Sequence, residues 1–329
     1  MANGNALIVQ LGKESTYGTH VTPTRQIRVS SESLKPNFNK VDEGLLTGNK
    51  GKSATNIMGI KVEGSLSTLA RPDDIGLFLA CALGEEEVEG VSGSDTVYKH
   101  TFTPVGNGEN DNLPTMSAVL DRVVSTFGYS GLAIGSLSLS ADAGDYVNLE
   151  ASFVGKDEVS GTSKATLTPS PLKAFKFHQG KVYIKKPTDQ SAVELADVTS
   201  VSWEYNNNLD SDTQTTSTGL YYKRPEVGTR EMTTTLSCIY TSASEAYRND
   251  FYKTDAQLGV VLEFTSDEEV DDGVPYSLKI TIPCNQVTDA DANVSGAERL
   301  MENMTLDAID DGINELVTVE LINGYSVQY

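Results

Sequence analysis

Positive charge and histidine are scarce in this chain. Against 46 Asp and Glu stand 25 Lys and Arg and 3 His, for a formal charge of −21. Such a surface repels polyanions, which argues against a protein that grips nucleic acid or an anionic membrane. Unless geometry gives the carboxylates another use, they form a solvated coat. His20, His100 and His178 are at no metal-ligand spacing and no CxxC is present, so a zinc site is not expected. Cys81, Cys238 and Cys284 are odd in number and widely spaced, which gives no disulfide framework. Each lies in an apolar helical or strand-like run and reads as a buried thiol of a reducing compartment. A single tryptophan, Trp203, leaves little for a sugar-binding platform and reads as a core or interface residue. No apolar run is long enough to span a bilayer. The start, MANGNALIVQLGK, lacks the basic-then-apolar order of a signal peptide.

Catalytic signatures are also missing. There is no GxxxxGK[ST] and no GxGxxG opening a helix. GYSGL (128–132) misses the nucleophile-elbow spacing by one position, and Ser130 reads as a turn residue. DADANVSG (289–296) begins like a calcium loop at Asp289, Asp291 and Asn293. It then fails, with Val294 at the sixth position and Leu300 at the twelfth. DAIDDGINE (307–315) fails earlier, and Asp310-Asp311 reads as a solvated turn. The expectation is a protein that is not an enzyme, with no cofactor and no metal.

What is present is β-forming. Thr, Ser, Val, Gly and Tyr are frequent and helical apolar stripes are few. The 329-residue length suits two domains. KVEGSLSTLARPDDIGLFLACAL (61–83) and EMTTTLSCIYTSASEAYRNDFYK (231–253) have one shape, strand, corner, then helix, about 170 residues apart. Expected strands in the first half are 26–34, 60–70, 97–102 and 116–124, with a helix at 72–83. In the second they are 198–205, 230–240, 259–264 and 277–282, with a helix at 242–253. Pro72 suits the first helical turn, with Asp73 and Asp74 at its positive end. Ser242 and Glu245 have capping-box spacing, and Ala243, Tyr247 and Phe251 face inward.

A hairpin is expected in each half, around Ala143-Gly144-Asp145 and around Asp311-Gly312. Leu137, Leu139, Val147, Leu149, Ala151 and Phe153 would fill one core. Met304, Leu306, Ile313, Val317, Val319 and Leu321 would fill the other. KDEVSGTSKATLTPSP (156–171) is poor in apolar residues and reads as a linker. The expected division is a β domain over 1–156, a linker over 157–172 and a β domain over 173–329.

Each half also holds a long loop after its first strand, 35–59 and 206–228. Loops beyond roughly 12–15 residues are mostly functional or disordered. These carry apolar residues: Val41, Leu45, Leu46, Ile57 and Met58 in the first, Leu209, Leu220, Tyr221 and Tyr222 in the second. Apolar residues on a projecting loop suggest docking to a partner. The alternative is that they fold back on their own half.

Three stretches, KESTYGTHVTPTRQIRVSSESL (13–34), LLTGNKG (45–51) and GSLSTLARPDDIGLFLACALG (64–84), together resemble the start of the major tail protein, or tail tube protein, of long-tailed bacteriophages. They cover about the first quarter of the chain; the rest matches by order of elements. The resemblance implies a mainly β fold: two tandem tail-tube-type β-sandwich or barrel domains, each with one flanking helix. It implies a structural virion protein that polymerises into stacked rings, the conduit for double-stranded DNA ejection. Its long loops would reach the adjacent ring. Two tube folds in one chain imply trimeric rings with pseudo-sixfold symmetry. The implied partners are further copies of the chain and the tail tip or baseplate, tape measure and terminator proteins. DNA would pass without specific binding, and assembly would occur in the bacterial host cytoplasm. The alternatives are hexameric rings with a decorating second domain, a two-domain β partner-binding or surface protein, such as an adhesin or a different virion component, and a sugar-active β-sandwich enzyme.

Overall fold

The computed structural model describes the chain apart from residues 1, 2, 46, 47, 49, 52, 53, 107, 109–111, 187–190, 255, 272, 295, 296 and 298, and the side chain of Ala243. The fold is antiparallel β with two short helical segments. Alternation dictates this. Strands such as Glu231–Ile239 (EMTTTLSCI) place every second side chain in the core and leave Ser and Thr outside.

The same pairing scheme is built twice. In the first half Thr55–Leu69 pairs with both Val29–Glu32 and Asn148–Gly155. In the second half Glu231–Ile239 pairs with both Val198–Asn206 and Met301–Ala308. Even the irregularities coincide. A bulge separates the pairs Val29↔Thr68 and Ser31↔Ser67, and another separates Val198↔Cys238 and Ser200↔Ser237. A second falls between Ser152 and Phe153 opposite Ser136 and Ile134, matched by one between Val287 and Asp289 opposite Leu306 and Thr305. Bulges re-aim strands, so shared bulges mean shared curvature. Each half has one long strand that bends and serves two layers. Thr126–Asp142 pairs with Met116–Asp121 and Asp157–Ser160 at its start and with Asn148–Gly155 at its end. Val274–Asp291 repeats this with Leu258–Asp271, Thr318–Asn323 and Met301–Ala308.

Several expectations are corrected. Asp311-Gly312 does not turn a hairpin. Met301–Ala308 pairs with Glu231–Ile239 and Val274–Asp291, while Thr318–Asn323 pairs with Val274–Asp291 and Tyr98–Pro104. Ile313, expected inside, is 87% exposed. The counterpart of Leu258–Asp271 is Met116–Asp121, because the first half inserts a hairpin, Gly84–Gly90 with Tyr98–Pro104, directly after its helix. Finally, the second helix is capped by Thr241 with Ser244, and its latter part, Arg248–Tyr252, is a π turn. The first four residues of the expected linker, Asp157–Ser160, form a strand.

The first helix, Ile75–Leu83, is buried at all 9 positions. Gly76 permits this: a Cβ there would lie 2.2 Å from the Tyr329 ring. Asp74 precedes the helix, only 4% exposed and without a side-chain capping bond. Burial pushes its carboxyl up from 3.8 to about 6, against the pull of Arg71 and Arg25. Between those values the folded chain holds a proton that the unfolded chain releases. The stability this group contributes is therefore lost as pH rises through that window. Asp74→Asn is expected to remove the loss. Urea unfolding at stepped pH should show the variant gaining about 2 kcal/mol on the parent between pH 4 and pH 7. A pH-independent difference would contradict this.

Glu14 is a different case. It is 7% exposed, and its carboxylate accepts from Thr115 and Ser117 hydroxyls at 2.8 and 2.7 Å and from the Gly18 and Gly131 amides at 2.9 and 2.8 Å. Four donors to one buried carboxylate fix the 14–24 loop against Met116–Asp121.

Candidate assembly surfaces

One sheet crosses both halves. Val198–Asn206 pairs on one side with Glu231–Ile239 and on the other with the first half's Thr126–Asp142, from Ser200↔Asp142 to Asn206↔Ser136. The spatial order runs 285–291, 301–308, 231–239, 198–206, 136–142, 148–155, 55–69, then 29–42. Its inner face carries Leu137, Leu149, Phe153, Trp203, Tyr205, Leu236 and Met304, all buried. Its outer face is hydroxyl and carboxylate. One rung reads Asp307, Thr233, Glu204, Ser138, Glu150, Ser67, and another reads Asp291, Asn303, Ser237, Ser200, Asp142.

Among the described residues the sheet ends in two strands with no further strand on their outer side, 29–41 and 287–291. At the second of these the Ala290 carbonyl accepts from Arg248 Nε at 3.0 Å. Open edges ordinarily invite pairing with another chain. The repeat says what each edge matches. Register equates 29–37 with 198–206, and 287–291 with 134–138 of the strand joined to it. The two open edges are thus the counterparts of the two strands already joined inside the chain.

From that sheet a hairpin projects, Lys35–Asp42 paired with Thr55–Leu69 down to Asp42↔Thr55. Phe38, Val41, Leu45, Ile57 and Met58 are exposed on it. Leu46 lies outside the described residues. The second loop behaves differently and lies against the base of this hairpin. The Ile60 amide donates to the Leu220 carbonyl at 2.8 Å, and Gln214 Nε2 to the Met58 carbonyl at 2.9 Å. Lys61 Nζ meets Asp212 at 2.8 Å, and Tyr222 packs on Gly59. The Tyr221 hydroxyl reaches Asp157 at 3.0 Å. Leu220 stays exposed and Leu209 is half-buried. The structure so sets the second loop, through Gln214, Leu220 and Tyr222, against the hairpin that carries Val41, Leu45, Ile57 and Met58. It also adds the two sheet edges, whose signal in the sequence is only ordinary strand alternation.

Asp289 and Asp291 lie in Val274–Asp291, and Asn293 donates to Asp291 at 2.6 Å. The three cysteines are free and buried, and burial pushes Cys81 up to about 12. Among the described residues no three His, Cys, Asp or Glu side chains are grouped to hold a metal, and no helix is long and apolar enough to cross a membrane.

These features define a class: an antiparallel β protein that, among the described residues, has two uncovered sheet edges and a projecting hairpin exposing apolar side chains. The family profile of the phage tail tube protein matches residues 4–308, and the chain belongs to that family. It is a structural component of the virion tail that assembles with itself into the tail tube, and the family is not one of enzymes. No curated protein matches the sequence.

Proposed function

We propose that three copies of this chain close a ring of six tube folds and that such rings stack into the conduit for double-stranded DNA. In this reading the halves are tandem domains, 1–156 and 173–329, and fusing them replaces one association step with a covalent link. The carrying observation is the pair of open edges. Repeating the internal join between chains sets 289–291 of one copy against 35–37 of the next, in a heterologous contact that can close. The implied register puts Lys35 opposite Asp291 and Asn37 opposite Asp289 of the neighbour. The first pair is of opposite charge, as cross-strand pairs favour.

The solvated sheet face would line the lumen. Its rungs of Ser, Thr and Asn give DNA nothing apolar to stack on. Asp142, Glu150, Glu204 and Asp307 repel phosphates. Replacing Ser138, Glu150, Glu204 and Ser202 with lysine is expected to slow DNA ejection at low salt by tenfold or more. Unchanged low-salt ejection kinetics would refute the lumen assignment. The hairpin 35–60, and with it residues 206–228 at its base, would meet the adjacent ring. Tail tip, tape measure and terminator proteins would be the partners at the tube's ends, assembled in the host cytoplasm.

The test of the ring is electron microscopy of the purified chain at rising concentration, alone and with tail-tip protein. Three-copy rings or tubes are expected. A rotational average with six whole chains would favour the reading with a decorating second half, and persistent monomer under both conditions would favour a partner-binding β protein.

A further inference from the structure

Resting on the ring reading, we propose that the ring has two inequivalent junctions. The one inside each chain is clasped shut. The one between chains lacks the clasp and is the site where rings open and exchange subunits.

The clasp depends on parts the repeat does not duplicate, the inserted hairpin and the segment after Asn323. The inserted strand Tyr98–Pro104 of the first half pairs with Thr318–Asn323 of the second, from Val319↔Phe102 to Asn323↔Tyr98. The segment beyond crosses back onto the first half. Tyr329 packs on Gly76 of the buried helix, its amide donates to the Glu86 carboxylate at 2.9 Å, and Lys13 Nζ donates to its carbonyl at 2.7 Å. The Arg25 guanidinium lies 4.4 and 4.5 Å from the Tyr325 and Tyr329 ring centroids. His100, fully buried, bridges the Glu86 carboxylate and the Tyr325 carbonyl, each at 2.8 Å.

Between chains this set has no equivalent. The second half's helical segment ends at Tyr252 and its next strand begins at Leu258, which leaves too few residues for a hairpin. Asp157–Ser160, the first-half counterpart of Thr318–Asn323, pairs only with Thr126–Asp142 among the described residues. No inserted strand of a neighbour could reach its far side.

The inner layer is weaker there too. The Leu34 carbonyl, at the position of Trp203, is turned away to Arg122 at 2.7 Å and to the Tyr129 hydroxyl at 3.1 Å. Pro36 occupies the position of Tyr205, opposite Val62 as Tyr205 is opposite Met232. Asn207, two residues after Tyr205, donates to the Gly135 carbonyl across the internal junction, so Tyr205 faces the same way. Pro36 has no amide to offer there, a common device on strand edges that must not pair indiscriminately.

Hydrogen-exchange mass spectrometry on free chain and on assembled tubes tests this. Residues 98–102 and 319–323 should be protected in both states. Residues 289–291 should gain protection only on assembly, while 157–160 should exchange alike in both. Pro36→Val, which restores one donor, should lower the concentration at which assembly begins about fivefold. Strong protection of 157–160 in tubes, or an unmoved threshold for Pro36→Val, overturns the inequivalence and leaves the ring reading standing. Failure to assemble under any condition overturns both.

Discussion

A chain carrying serine at Val41, Leu45, Ile57 and Met58 is expected to fold as before and to lose ring stacking. All four side chains are exposed in the free chain, so their replacement removes little buried area. Surface changes of this kind usually alter stability by less than about 0.5 kcal/mol each. In a stacked tube the same residues would be covered. Burying a Val, Leu, Ile or Met side chain contributes roughly 1.5–3 kcal/mol at about 25 cal/mol per Å². Even at half burial, four such losses at every contact between rings would raise the threshold for tube growth by well over a hundredfold. The measurement pairs urea unfolding of the variant with light scattering and micrographs of its assemblies. Single rings without tubes, at native stability, are expected. Tubes of normal length would show that the hairpin does not carry stacking. A parallel variant, Leu209→Ser with Leu220→Ser, separates the two loops. The second loop lies against the hairpin base through Leu220, Gln214 and Asp212, so its loss should act mainly by loosening the hairpin.

The strand–corner–helix unit was legible in sequence because its signals are local. Alternation marks 61–69 and 231–239, and apolar density marks 75–83. Pairing partners were not, because they are chosen over long separations. Asp311-Gly312 looks like a hairpin turn, yet the strand before it, Met301–Ala308, already has both sides filled by 231–239 and 285–291. Ile313 is consequently left in solvent. The inserted hairpin misled in another way. Tyr98–Pro104 alternates as Met116–Asp121 does, so nothing local says which of them repeats Leu258–Asp271. The apolar residues of 206–228 read as a projecting patch, and only their contacts with Ile60, Met58 and Lys61 show them laid on the other half. The sheet edges could not be read at all, since an edge is defined by the absence of a neighbour. The repeat was the one long-range feature open to sequence. It is also what turns the edges into an assembly hypothesis, through the register it transfers from one junction to the next.

Glu302→Leu is expected to stabilise the chain by about 1–4 kcal/mol, the range found when buried ion pairs give way to well-packed apolar residues. The side chain is fully buried in Met301–Ala308, and neither carboxylate oxygen has a hydrogen-bond partner among the described residues. Register sets Glu302 opposite Cys238, as Leu149 is set opposite Thr68 in the first half. Leu149 is itself buried, so the fold accommodates leucine at this position once already. The carboxylate also burdens its neighbour, since burial first and Glu302 second push the Cys238 thiol up to about 11. A lone buried charge forfeits its hydration and gains no compensating bond, which costs several kcal/mol in real proteins. Urea unfolding should give a higher midpoint with an unchanged slope, because the surface exposed on unfolding is nearly the same. Glu302→Gln should gain less, since its amide would still be buried without partners. A destabilised leucine variant would refute the argument, because a loss of stability would mean that the carboxylate is satisfied in the folded chain.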